Sequence, residues 1–282
     1  MSSSVRPVWA GIVDDAAIFP PGNLGFHDAL AAHHTRPDDG LVGSFVLKDT
    51  DLPLARGAHA RLTVILTGGA GQVAGPFGLC RRLGLDAGAV AVALQDPDDL
   101  PGNARRVVAA VDAARDEGVL TDDTEVLVEL PHSPTTAGWL AAADVVAESE
   151  LRLKFRTGGL ERPAFPSPTT LASWIEAALD RETPFTCTAG LHHAVAHTDG
   201  ATGFDHHGFL NVLLATRASL EGDDAAAVLA ERDSAALLDL FAAHGEDAMT
   251  RTRRWFTSFG TCSVADPYDD LVGLGLLEAG VA

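Results

Sequence analysis

The chain is poor in several residue types, and each shortage narrows what it can be. Of 282 residues only three are cysteines, Cys80, Cys187 and Cys262, an odd number without paired spacing. That argues against a disulfide framework and for a reduced, cytoplasmic setting. No uninterrupted apolar run reaches the length of about 18 residues that a membrane span needs, although 46% of residues are hydrophobic. The opening Met1-Ser-Ser-Ser-Val-Arg-Pro lacks the apolar centre of a signal peptide. Positive charge is scarce too. Twenty Lys and Arg face 39 Asp and Glu, for a net charge of −19, which speaks against nucleic acid or an anionic membrane as partner. Lysine is scarcest: Lys48 and Lys154 stand alone beside the arginines. Arginine is always charged, whereas a buried lysine can give up its proton, so a chain this biased toward arginine places its lysines where a free amine is of use.

What is present reads as alternating strands and helices. Strands are expected over Val8–Asp15, Leu41–Lys48, Arg61–Thr67, Ala87–Gln95, Glu125–Leu130, Leu151–Arg156, Phe185–Gly190 and Trp255–Ser263. Helical periodicity of about 3.6 fills the gaps, as in Asn103–Glu117 with Val107, Val108, Val111 and Ala114 on one face. Eight such repeats in a chain close to the typical 250 or so residues indicate one domain folded as a (β/α)8 TIM-type barrel of eight parallel strands. An open doubly wound sheet is the alternative. Neither Gly-x-Gly-x-x-Gly nor Gly-x4-Gly-Lys-Ser/Thr follows the early strands, so nucleotide binding of those kinds is unsupported.

A parallel barrel places its chemistry at the C-terminal ends of its strands. The sixth strand is the most informative. Leu151, Leu153 and Phe155 alternate with Arg152, Lys154 and Arg156, so one face is apolar and the other carries three cations. Cations facing a lumen need an anionic partner or ligand. Lys154 can serve as a Schiff-base nucleophile, its pKa lowered by burial and by Arg152 and Arg156. It can equally be a fixed cation for a substrate carboxylate or phosphate, or a plain salt bridge to Glu129. Arg156 and the backbone of Thr157, Gly158 and Gly159 are candidates to hold an anionic substrate, with Lys48 and Thr188 at neighbouring strand ends.

The stretch from Thr188 to Gly208 carries His192, His193, His197, His206 and His207, five of the eleven histidines. His192 or His193 suits general acid/base work beside Lys154. Alternatively His193 and His197 with Asp14 or Asp15 could ligate a divalent metal. His206 and His207 read as the solvent-facing start of the next helix. Asn211 reads either as a partner of the histidines or as an exposed helix residue. Cys262 has no sequence neighbour to activate it and reads as packing.

Lys154-x-x-Thr157-Gly158 resembles the Schiff-base strand of the deoxyribose-phosphate aldolases, Lys-Thr-Ser-Thr-Gly. Val126-Leu-Val-Glu129 and Gly11-Ile-Val-Asp14 are similar to that family's fifth and first strands. The resemblance implies a class I aldolase: a cofactor-free lyase that makes an imine between Lys154 and a small, anionic carbonyl compound, with Glu129, Asp14 and a histidine moving protons. Two positions depart from the family, Thr186 where it has a second lysine and Ala87–Gln95 where it has an aspartate. Gly208-Phe-Leu-Asn-Val-Leu-Leu-Ala is similar to a helix of the His-x-His barrel metallolyases, which would imply the metal-dependent lyase or hydrolase instead. A non-catalytic metabolite-binding barrel is a third reading. No partner beyond a small molecule is indicated, and assembly into a homo-oligomer is compatible with all three.

Overall fold

In the computed structural model, residues 5–36 and 40–278 are described; Met1–Ser4, read above for a leader segment, lies outside them. The barrel strands are β1 (Val13–Asp15), β2 (Val42–Lys48), β3 (Arg61–Leu66), β4 (Asp86–Ala93), β5 (Glu125–Glu129), β6 (Arg152–Arg156), β7 (Phe185–Thr188) and β10 (Phe256–Thr261). Between β7 and β10, β8 (His197–Thr198) and β9 (Asp205–His206) form a small antiparallel hairpin. Every barrel pair is parallel, and β10 closes the ring by pairing with both β7 and β1. The eight-stranded barrel expected from the alternating pattern is therefore the fold.

The helices are α1 (Phe26–Thr35), α2 (Ala74–Leu83), α3 (Leu100–Asp116), α4 (Ala137–Glu148), α5 (Pro168–Asp180), α6 (Phe209–Glu221), α7 (Ala225–Ala230), α8 (Ser234–His244), α9 (Glu246–Thr252) and α10 (Ala265–Gly273). Sequence chemistry sets several starts. Ser167 caps α5, its Oγ accepting from Thr170 N at 3.1 Å, with Pro168 in the first turn. Thr136 caps α4 in the same way. β1 is shorter than expected: Arg6 to Ile12 form turns closed by Trp9 N→Arg6 O and Ile12 N→Trp9 O bonds, and Trp9 is buried. No helix among the described residues is long and apolar enough to cross a membrane.

Most of the core lies between barrel and helices. On the outer side of β6, β7 and β10, Phe155, Phe185 and Phe256 stack in a row, with centroids 5.1 and 5.6 Å apart. Trp139 of α4 and Trp174 of α5 cover Phe155 at 6.2 and 5.7 Å. Each such side chain contributes about 1.5–3 kcal/mol on burial. Strand residues alternate faces, so this outer aromatic layer is what turns Lys154 and Thr186 inward; Ser258 reaches the lumen because the β10 register shifts between Phe256 and Ser258. Inside the barrel, Ala89, Ala91, Leu127 and Ile65 form a small second core.

Candidate active site

The site is a cavity of about 830 Å3 at the C-terminal end of the barrel. Its floor is polar on one side. Lys154 is 4% exposed and sits in register between Glu129 on β5 and Thr186 on β7. Glu129 holds two cations unequally. Arg156 Nε donates to Glu129 Oε1 at 2.9 Å, whereas Lys154 Nζ is 3.8 Å from Oε2. Lys154 is therefore loosely paired. Burial pulls its pKa below the ordinary lysine value; Glu129 opposes this and Arg156 adds to it. The salt bridge to Glu129 exists, but it does not neutralise the cost of burying the amine.

Asp14 completes this side. Ser44 Oγ donates to its Oδ1 and Ser258 Oγ to its Oδ2, each at 2.6 Å. Burial raises its pKa, while these two hydroxyls and the Lys154 charge pull it back. A carboxyl that leans toward its protonated form beside an amine that leans toward its free form is a pair of groups pushed together in pKa, the arrangement proton-transfer sites use.

Several expected members lie elsewhere. Asp15 faces outward toward α1, where His33 Nδ1 and Arg36 Nη1 contact its Oδ2 at 3.1 and 2.9 Å. Burial works to raise its pKa, but the bonds from His33 and Arg36 hold the carboxyl below the ordinary value. It cannot join His193 and His197, and among the described residues no group of three or more His, Cys, Asp or Glu is placed to hold a metal ion. Arg152 is at the opposite end of the barrel, with Nη1 2.8 Å from Glu125 Oε2, and does not perturb Lys154. Lys48 is exposed, its Nζ 5.6 Å from the Phe19 ring centroid, and it does not line the cavity. Thr157 is no substrate ligand: its N–H goes to Thr188 O at 2.9 Å and its Oγ1 to Ala189 O at 2.5 Å. Gly158 is packed against the β7 turn, where a Cβ would come within 2.7 Å of Gly190 Cα. Thr157 and Gly158 thus shape the turn after β7, in which Ala189 and Gly190 have φ of +62° and +78°. Gly159, Arg156 and Thr188 do line the cavity.

The histidine loop that follows β7 forms another wall, with His192, His193, His197 and His206 all on the cavity. His192 Nδ1 lies 3.3 Å from Asp266 Oδ2, and burial lowers its pKa against the pull of Asp266. His193 Nδ1 is 3.2 Å from Asp270 Oδ2 at the rim, and its ring meets His197 edge-on at 4.8 Å. His206 is not solvent-facing as expected. It sits in β9, 4.5 Å from the Phe165 ring, with Nδ1 3.1 Å from Gly190 O. His207 is buried, its Nε2 2.8 Å from Pro166 O. Asn211 is buried rather than exposed and ties the loop down. Its Oδ1 accepts from Ala196 N at 2.9 Å, and its Nδ2 donates to Val228 O and Glu231 O at 2.8 Å each.

Sequence reasoning missed Ser44, Ser258, Phe165, Phe204 and Asp266, and read Cys262 as packing. Phe19, Pro20, Pro21 and Gly22 line the cavity mouth, and so does Cys262. Cys262 Sγ is 3.8 Å from His192 Nε2. The adjacency of the seventh and last strands in a closed barrel is the signal that could have joined Cys262 to the histidine loop.

No family model matches the chain, and no curated protein matches it. Among solved structures it is similar to a deoxyribose phosphate aldolase from Aeropyrum pernix, described as a unique tetramer. The TM-score is 0.56 at 12% identity, over 95% of this chain and 93% of that one. At that identity the likeness is one of fold, and it runs the whole length of the barrel. This chain thus resembles the deoxyribose-phosphate aldolases both in the short strand-end motifs around Asp14, Glu129 and Lys154 and in overall architecture.

Proposed function

We propose that the protein is an aldolase-type lyase that forms an imine between Lys154 Nζ and a small carbonyl compound. The observation that carries this is the environment of Lys154: a lysine amine buried at the cavity floor, lowered in pKa by that burial, and only loosely held by a Glu129 already committed to Arg156. A free amine attacks the carbonyl carbon. Loss of water gives an iminium, which accepts the electron pair of the breaking carbon–carbon bond. Asp14 is the group best placed to exchange protons with the carbinolamine, since its carboxyl is held between two serine hydroxyls and leans toward protonation. His192, which also lines the cavity, moves protons with it. Glu129 fixes Arg156, whose remaining N–H groups face an anionic substituent. Among the described residues, Lys154 and Arg156 are the only Lys or Arg side chains lining the cavity, which also carries Asp14, Asp199 and Asp266. That balance favours a substrate with one carboxylate over a dianionic phosphate. Assembly into a homo-oligomer belongs to the same proposal.

Borohydride reduction tests it. Incubated with a panel of small keto acids and hydroxy aldehydes, the wild type should gain the mass of one reduced adduct, mapped to Lys154, and Lys154→Met should gain none. A panel that leaves Lys154 unmodified in the folded protein overturns the proposal.

A further inference from the structure

The cavity wall formed after β7 and β10 carries a second reactive arrangement. His192 Nδ1 faces two groups, Asp266 Oδ2 at 3.3 Å and Thr261 Oγ1 at 3.2 Å. The Thr261 hydroxyl directs its own proton to Ser263 O at 3.1 Å, and its oxygen also accepts from Ser263 N at 3.3 Å. Neither partner therefore has a proton to give Nδ1, so Nδ1 carries the hydrogen and Nε2 the lone pair. That lone pair faces Cys262 Sγ at 3.8 Å. Burial keeps the imidazole neutral and the thiol protonated at rest. The pair thus stands as S–H against an open imidazole nitrogen, with a carboxylate behind the ring. The Gly22 N–H approaches the sulfur, where it favours developing thiolate. Cys80 and Cys187 are both buried, and among the described residues neither has such a partner.

We propose that Cys262, His192 and Asp266 form a nucleophile–base–orienter relay, and that Cys262 adds to the carbonyl carbon of an aldehyde in the cavity to give a thiohemiacetal. The sulfur–carbon bond forms as the C=O π pair moves onto oxygen. His192 Nε2 takes the thiol proton and returns it to that oxygen. The step is reversible and needs no oxidant. The choice of an aldehyde rests on the aldolase reading, whereas the relay rests on its own geometry.

Alkylation by iodoacetamide, followed by peptide mass spectrometry, tests both halves. Cys262 should be alkylated well ahead of Cys80 and Cys187. His192→Asn, which keeps an N–H for Asp266 but deletes Nε2, should slow Cys262 at least about tenfold. Asp266→Asn is the second variant and should slow it as well; melting curves identify any variant that has lost the fold. Propanal should protect Cys262 in the wild type and equally in Lys154→Met. Protection in the wild type but not in Lys154→Met would mean that an imine merely blocks access, and the thiol proposal fails while the lysine stands. Protection in both without a borohydride adduct on Lys154 would leave the thiol and remove the lysine. Wild-type alkylation rates in folded His192→Asn and Asp266→Asn overturn the relay.

Discussion

Lys154→Met should leave the protein without imine chemistry and yet more stable. Lys154 is 4% exposed, and its nearest carboxylate is 3.8 Å away. Methionine has a similar length and no charge, and it can lie against Leu127, which shares the cavity lining. Removing one partner of a buried pair is costly when the other is left bare. Here it is not left bare, because Glu129 Oε1 keeps Arg156 Nε at 2.9 Å. Asp14 loses a cation that had lowered its pKa, but it retains both serine hydroxyls and can remain protonated. Replacing buried charge by a fitting apolar side chain ranges from neutral to about 1–4 kcal/mol stabilising, and the expected value is about 1–3. For a domain of this size that corresponds to a rise in Tm of roughly 2–4 °C per kcal/mol.

The pH dependence gives a second reading of the same quantity. The folded-state pKa of Lys154 lies below the unfolded value of 10.5. Between the two, the unfolded chain binds the proton that the folded chain has released, so wild-type stability rises with pH through that window. Below it the burial penalty is present in full. The advantage of Lys154→Met over wild type should therefore be greatest below the folded-state pKa and narrow as pH climbs from there toward 10.5. Urea melts at a series of pH values measure both. A variant several degrees less stable than wild type at neutral pH, or an advantage that grows with pH, would mean that the ammonium is a structural clamp for Glu129, and the catalytic case for Lys154 would collapse.

Other changes separate site from scaffold. Asp14→Asn should lower kcat by about 10²–10⁴-fold, the usual contribution of a positioned acid/base group, with little loss in Tm; a kcat within twofold of wild type would remove Asp14 from the reaction. Arg152→Gln breaks the 2.8 Å pair with Glu125 at the far end of the barrel and should change kcat and KM by less than twofold; a large loss would show that this end of the lumen matters to the chemistry. Asn211→Ala strands Ala196 N, Val228 O and Glu231 O and should cost about 2–4 kcal/mol by urea melts, since each orphaned buried group costs about 1–3 kcal/mol before relaxation. An unchanged melt would mean that the histidine loop is held some other way.

The barrel was legible because its signal is repetitive: eight apolar stretches separated by amphipathic helices. Lys154 was legible because period two in one strand says which residues share a face. The same period says nothing about depth. Arg152 shares that face but stands at the barrel's other end, against Glu125. Nor does it say which of two like neighbours faces in. On β1, Asp14 turns to Ser44 and Ser258 and Asp15 turns out to His33 and Arg36, a choice that two adjacent aspartates do not reveal. The Cys262–His192–Asp266 cluster joins groups about seventy residues apart, and only the closure of β10 onto β7 brings them together. Thr157 carries a family-like motif and still serves the backbone, because the strained turn at Ala189 and Gly190 needs its hydroxyl.

The distribution of cations through the barrel explains why this chain keeps a lysine at all. Arg36 meets Asp15 at 2.9 Å, Arg152 meets Glu125 at 2.8 Å and Arg156 meets Glu129 at 2.9 Å. Each of these three guanidinium groups has a carboxylate at hydrogen-bond distance, which suits a charge that cannot be shed. Lys154 instead shares the Glu129 carboxylate with Arg156, and its nearer oxygen, Oε2, is 3.8 Å away. An arginine at position 154 would need a full partner that β5 has already given to Arg156, so Lys154→Arg should be both inactive and destabilised. Lys154→Met should be inactive and stabilised. A site whose two conservative replacements move stability in opposite directions while both abolish turnover is held for its chemistry rather than for its packing, and equal stability for the two variants would contradict that assignment.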